Sequence, residues 1–133
     1  GQINLYWDEY SEMKQSLAKL SNAKRQQDIL LRYLDILDKK IKNPENNLSN
    51  TQENQLIMLD ETQAEIEAHK VIEEVIEEQK NNLATIPLMS STVNLDRLDT
   101  MHKKTQNTLN KLKGKEKKIM NKMNRKLGNK KQF

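Results

Sequence analysis

Apolar residues recur every three or four positions along the first forty residues, which is the spacing of one helical face. Nine of the twelve positions in this row are apolar or aromatic, a strong match to a heptad repeat. The row predicts one helix over about residues 3–42, ending before Asn43-Pro44 because a residue that precedes proline disfavours helix. Its members are Ile3, Tyr6, Tyr10, Met13, Leu17, Leu20, Lys24, Gln27, Leu31, Leu34, Asp38 and Ile41, and Leu30 and Leu37 widen the row toward its end.

Two further rows predict helices over about residues 50–86 and 94–127. The second row shifts register near Ala68–Lys70, which we interpret as a stutter; its members are Leu56, Leu59, Gln63, Ile66, Ile72, Ile76, Gln79, Leu83 and Ile86. The third row ends before Gly128, a typical helix-ending residue, and residues 129–133 are expected to form a flexible tail. Its members are Leu95, Leu98, His102, Thr105, Leu109, Leu112, Glu116, Ile119 and Met123.

Three helices of similar length joined by short breaks predict an all-α fold, with residues 1–128 in one elongated antiparallel bundle or coiled coil. If the third helix folds back on the second near residues 87–92, Gln79 lies beside His102 and Gln63 beside Glu116. We therefore expect these four residues to form polar layers within the apolar seam.

Composition supports long helices and an intracellular location. Hydrophobic residues make up 35% and charged residues 32% of the 133 residues, which suits helices with narrow apolar seams better than a broad globular core. The chain has no cysteine, no apolar run long enough to cross a bilayer and no apolar signal-peptide core at its start. We expect an intracellular, cytoplasmic protein.

Charge is sorted into blocks along the chain. The formal net charge is +2 over residues 1–43, −8 over residues 44–86 and +10 over residues 87–133. In the antiparallel arrangement, residues 60–67 would lie beside residues 113–118, and residues 73–78 beside residues 101–104. Such opposed charges select orientation and partner more than they add stability, because exposed ion pairs contribute only about 0–1 kcal/mol.

The titratable residues do not form a recognisable catalytic or metal-binding motif. Glu65 lies one turn before His69, a pair that can bind metal on a helix, but the chain has only two histidines and lacks the repeated Glu-x-x-His motif of metal-binding bundles. The glutamates at positions 73, 74, 77 and 78 have the spacing of solvated helix residues. We therefore predict a chain that is not an enzyme and that has no cofactor and no metal site.

Two segments are candidate partner-binding surfaces. The aromatic group Tyr6, Trp7 and Tyr10 could anchor a partner, or it could pack one end of the bundle. The basic group could attract an acidic protein surface or an anionic membrane, or it could be the solvated flank of the third helix; we rank nucleic acid below these partners. Its members are Lys117, Lys118, Lys122, Arg125 and Lys126.

The three-helix layout resembles spectrin repeats and the amino-terminal bundles of syntaxin-type trafficking proteins. The stretch VIEEVIEEQKNNL also resembles the centre of a SNARE helix, with Gln79 in an otherwise apolar seam. That resemblance implies a four-helix bundle around a central polar layer. Pro87 departs from it, because it falls where a SNARE helix would continue.

These observations predict a non-enzymatic coiled-coil interaction or scaffold subunit of a larger assembly, of the cytoskeletal or axonemal, tethering or vesicle-trafficking, or pore-scaffold type. Apolar seams would bind protein partners as a homo- or hetero-oligomer, and the charge blocks would select them. One alternative is a SNARE-like or syntaxin-type trafficking bundle. The other is a module that binds nucleic acid or anionic membrane through the basic C-terminal helix.

Overall fold

The structure is a computed structural model that describes residues 2–20, 23–43, 52–83 and 88–130. These residues form four helices, α1 (Gln2–Lys19), α2 (Lys24–Lys42), α3 (Gln52–Leu83) and α4 (Leu88–Lys130). No strand occurs within the described ranges, so the predicted all-α class is confirmed. The predicted count of three helices is wrong, because the first predicted helix is divided into α1 and α2.

The side chain of Gln27 explains how the chain accommodates this division. Its Nε2 donates a hydrogen bond of 2.6 Å to the carbonyl oxygen of Leu20, and its backbone N–H donates to Ala23 at 2.9 Å. The side chain thus satisfies a carbonyl at the end of α1, where intrahelical donors run out. Lys24 and Gln27 are consecutive polar members of the predicted row, and the break lies beside them.

The break also changes which face of α2 is buried. The buried residues of α2 are Leu30, Tyr33, Leu34 and Leu37, whereas Leu31, a member of the predicted row, is 51% exposed. Two helices separated by a break need not share one register, so the buried face of α2 includes Leu30 and Leu37, which widened the predicted row, and leaves Leu31 at its exposed edge. The corrected face packs with Met13 of α1 in the main apolar core.

Helix α3 packs against all three other helices, and it does so with two apolar faces. Ala68, Val71 and Val75 join the core formed with α1 and α2. Ile66 belongs to a second buried cluster with Leu109 and Leu112 of α4. The sequence pattern suggested a stutter near Ala68–Lys70. The shift in register there is explained by the two buried faces, one with Ile66 and one with Ala68, Val71 and Val75.

Helix α4 runs antiparallel to α3. The pair Lys80–Asp99, with 2.5 Å between Nζ and Oδ1, lies near one end, and the cluster of Ile66 with Leu109 and Leu112 lies further along. All nine positions of the predicted third row are buried or half-buried. The helix begins at Leu88, earlier than predicted, and includes the first two residues of the predicted tail, 129 and 130; residues 131–133 lie outside the described residues.

Gly114 lies on the exposed face of α4, and a Cβ atom built there meets no atom within 4 Å. Gly114→Ala should therefore raise the free energy of unfolding by about 0.5–1 kcal/mol, because alanine restricts the unfolded chain without a clash. Urea denaturation followed by circular dichroism measures this change. Gly114→Pro should instead destabilise by about 3 kcal/mol. No gain from alanine would contradict a continuous helix through this position.

Candidate functional site

A polar cluster joins α1, α2 and α3 beside the main core, to which Tyr33 belongs. The Tyr33 hydroxyl donates to the Glu9 carboxylate at 2.6 Å, and the His69 Nε2 lies 3.5 Å from the same Glu9 oxygen. The Nδ1 of His69 lies 2.8 Å from the backbone carbonyl of Glu65. Because a carbonyl oxygen only accepts, Nδ1 carries a proton and Nε2 faces Glu9.

Burial sets the protonation of this cluster. It raises the pKa of Glu9, and the nearby Glu65 raises that pKa further, while the hydrogen bond from Tyr33 lowers it. Burial and the same carboxylates hold the pKa of Tyr33 far above its ordinary value, so its hydroxyl remains a neutral donor. The cluster connects three helices through groups that satisfy one another, which is a structural role.

Sequence analysis missed Glu9 and Tyr33 and treated His69 only as a neighbour of Glu65. Tyr33 lies one position before Leu34 and so fell outside the extrapolated row. A signal was present, because Glu9 lies between Tyr6 and Tyr10 on the apolar side of α1, where a carboxylate requires a buried donor. Recognising it required knowing that α2 folds back on α1.

The aromatic group at the start of α1 is only partly exposed. Trp7 is 51% exposed and contacts Tyr10 edge to face, with 6.1 Å between ring centroids. Tyr6 and Tyr10 are half-buried. The Nζ of Lys40 lies 5.6 Å from the Tyr6 ring centroid, and Lys14 is similarly placed over Tyr10. Of the three residues, Trp7 is the one available to a partner.

The four expected polar-layer residues occupy different environments. Gln63 is exposed, whereas Gln79, His102 and Glu116 are half-buried. His102 lies 3.7 Å from Glu77, measured from its Nε2 to Oε1. No hydrogen bond joins Gln79 to His102 or Gln63 to Glu116 among these described side chains.

The acidic residues of α3 pair with α2 rather than with the basic part of α4. The guanidinium nitrogens of Arg32 lie 2.5 Å from the Asp60 Oδ1 and 3.9 Å from the Glu67 Oε2. The Nζ of Lys40 lies 2.8 Å from the Glu61 Oε2. No ion pair joins residues 60–67 to residues 113–118 within the described ranges, although Ile66 and Leu112 share a buried cluster at this level of the two helices. The cations of α4 are left without these carboxylates.

Five cations of α4 follow a spacing of four, three, four and three residues, which places them on one flank of the helix. We refer to them as the basic stripe: Lys111, Lys115, Lys118, Lys122 and Arg125. All five are exposed, and none forms an ion pair with another side chain in the described part of the chain. Lys117 is exposed on another flank, and the side chain of Lys126 lies outside the described residues.

The basic stripe continues a row that faces α1. Lys104 lies seven residues before Lys111, and its Nζ is 3.5 Å from the Glu12 carboxylate. Leu5, seven residues before Glu12 on the same flank of α1, is 65% exposed. The contact between Lys104 and Glu12 thus brings the start of this row to α1, and Leu5 is an exposed apolar side chain two turns before Glu12 on that helix.

A cleft of about 600 Å³ lies between α3 and α4 on another side. Charged and amide side chains supply most of its lining, unlike the mainly apolar walls of small-molecule sites. The residues around it are Lys70, Glu73, Glu74, Gln106, Asn107, Leu109, Asn110 and Lys113. The cleft does not point to a small-molecule ligand.

Comparison with known protein families, curated proteins and solved structures found no significant match. Among the described helices, none combines the length and apolarity needed to cross a membrane. The surfaces of the chain itself, chiefly the basic stripe, are therefore the guide to its function.

Replacing Glu9 by glutamine tests the buried cluster. Because the pKa of Glu9 is raised above 4.5, the folded state binds the Glu9 proton more tightly than the unfolded chain does. This proton stabilises the fold below pH 4.5, and the stabilisation is lost as the pH rises through the raised pKa. Glu9→Gln keeps an oxygen that accepts from Tyr33 and removes this dependence. The variant should gain stability over the natural chain as pH rises from about 4 to 7, in urea denaturation.

The matched control is Asp8→Asn, at the neighbouring exposed carboxylate. Its stability difference from the natural chain should change less across the same pH range. If Glu9→Gln and Asp8→Asn respond alike, the buried position of the Glu9 carboxylate is not what controls the pH dependence.

Proposed function

We propose that this chain is a non-enzymatic helical interaction module, a subunit that binds an acidic helix of a protein partner along the basic stripe of α4. The observation that carries the proposal is the set of five exposed cations on one helix flank, none of them paired within the described residues. From Lys111 to Arg125 the stripe extends about 21 Å, at the helical rise of 1.5 Å per residue. That length matches four turns of a partner helix.

The spacing of the stripe favours a helical partner. Cations at intervals of four and three residues repeat with the heptad, so carboxylates at the same intervals on another helix can lie opposite them. Leu5 of α1 is 65% exposed and offers an apolar contact, and an interface that combines apolar contact with complementary charge gains both affinity and orientation. Such a module suits a scaffold or tethering subunit of a larger assembly.

The conditions inside the bundle support a binding role over a catalytic one. Two groups with raised pKa values, the half-buried Glu9 and the buried Tyr33, are hydrogen-bonded to each other. Their hydrogen bond connects α1 to α2. On the surface, the unpaired cations of the basic stripe lie together on one flank of α4, and such a continuous row favours recognition by charge.

A second candidate function is binding to phosphate groups of an anionic membrane or a nucleic acid. The same unpaired stripe favours it, because cations that neutralise phosphates release counterions and bind in a strongly salt-dependent manner. The SNARE-like alternative lacks comparable support, since α3 ends at Leu83, only four residues after Gln79.

Binding of a fluorescent helical peptide with glutamates at the stripe spacing tests the proposal. The triple variant Lys111→Gln, Lys115→Gln and Lys118→Gln should weaken binding about tenfold, because each exposed charge pair contributes about 0.2–1 kcal/mol. Fluorescence anisotropy at low and raised salt measures the affinity. The matched control changes three exposed lysines elsewhere, Lys19, Lys24 and Lys70, and should bind like the natural chain.

Equal losses in the two triple variants would show that net charge, and not the stripe, governs binding, and would contradict the proposal. The same proteins are assayed with phosphatidylserine vesicles and with duplex DNA. If the natural chain binds either probe more tightly than the peptide, and the stripe variant alone loses that binding, the second candidate function replaces the first.

A further inference from the structure

Glu73 and Glu77 of α3 and His102 of α4 bring three ligand atoms together between two antiparallel helices. The Nε2 of His102 lies 4.0 Å from a Glu73 oxygen and 3.7 Å from a Glu77 oxygen. One ligand atom from each residue lies within 4.8 Å of the others. The two glutamates are four residues apart, so they occupy one helix face.

The Nε2 of His102 is a buried nitrogen without a hydrogen-bond partner. Both carboxylate oxygens are beyond the hydrogen-bond limit of about 3.2 Å. Buried polar atoms in folded proteins nearly always have a partner. The side chain of His102 is 19% exposed, and its unpartnered Nε2 is closest to the two carboxylates, an arrangement that favours a ligand shared by all three groups.

The spacing of the three atoms fits a metal ion. Two ligands bound at about 2.1 Å to one tetrahedral ion lie about 3.4 Å apart, slightly closer than the distances from His102 to the two carboxylates. Glu77 is exposed, so its side chain can make the small movement that closes the set. Imidazole nitrogen with carboxylate oxygen is a ligand combination that zinc accepts.

We propose that Glu73, Glu77 and His102 form a binding site for one divalent transition-metal ion, with Zn²⁺ as the best fit and water in the fourth position. The ion would connect α3 to α4 next to the Lys80–Asp99 pair, which already holds the two helices in register. Its role would be to fix the antiparallel pair, and the proposal does not depend on what the basic stripe binds.

Zinc titration of the untagged, chelator-treated chain tests the site. We expect one ion to bind per chain, with a rise in the melting temperature, because a ligand that binds only the folded state stabilises it. The chain has two histidines, so imidazole NMR separates them. The ring resonances of His102 should shift in step with binding, and those of His69, whose Nδ1 is occupied by the Glu65 carbonyl, should not.

Neighbouring glutamates supply the matched control. Glu77→Gln should weaken zinc binding at least tenfold, whereas Glu78→Gln, one residue further along, should leave it unchanged. Both positions are exposed, so neither variant should disturb the fold, which circular dichroism checks. Unchanged His102 resonances at saturating zinc, or equal effects of the two substitutions, would overturn the proposal.

Discussion

Helix α3 buries two apolar faces at once, and the positions of the other helices follow from this constraint. One face, with Ala68, Val71 and Val75, closes the core of α1 and α2, and the other, with Ile66, packs against α4. A helix that is apolar on two sides cannot remain in water with only one neighbour, because the uncovered face loses the stabilisation of burial. The helices are therefore arranged around α3, and they do not form the predicted bundle of three helices of similar length.

Polar groups then determine how the helices are oriented and what surface they leave. Glu9, Tyr33 and His69 join three helices beside the core, and Arg32 and Lys40 of α2 form ion pairs with Asp60 and Glu61 of α3. Because these carboxylates are engaged there, the cations on the outer flank of α4 have no counterpart among the described residues. The proposed interaction function is thus a consequence of internal pairing, since the fold determines which charges remain available.

Helical class and the buried row of α4 could be predicted from sequence, because an uninterrupted row such as Leu98, Leu109 and Leu112 needs only local periodicity. The division between α1 and α2 could not be predicted from the sequence, because polar residues such as Lys24 and Gln27 also occur at the apolar positions of an uninterrupted heptad repeat. The cluster of Glu9 with His69 depends on contacts between distant segments. The sequence likewise showed the basic stripe as a block of positive charge. It could not show that the stripe lacks ion-pair partners within the described residues, because this depends on which cations the α3 carboxylates contact in the fold.

The most direct test of the central role of α3 is zero-length crosslinking of carboxylates to lysines in a mixture of ¹⁴N- and ¹⁵N-labelled chains, read by mass spectrometry. The account predicts that the links Lys80–Asp99 between α3 and α4 and Lys40–Glu61 between α2 and α3 join peptides of the same isotope. This result would place both neighbours of α3 in its own chain. Mixed-isotope links at either pair would show that a second chain covers that face, and would contradict the account.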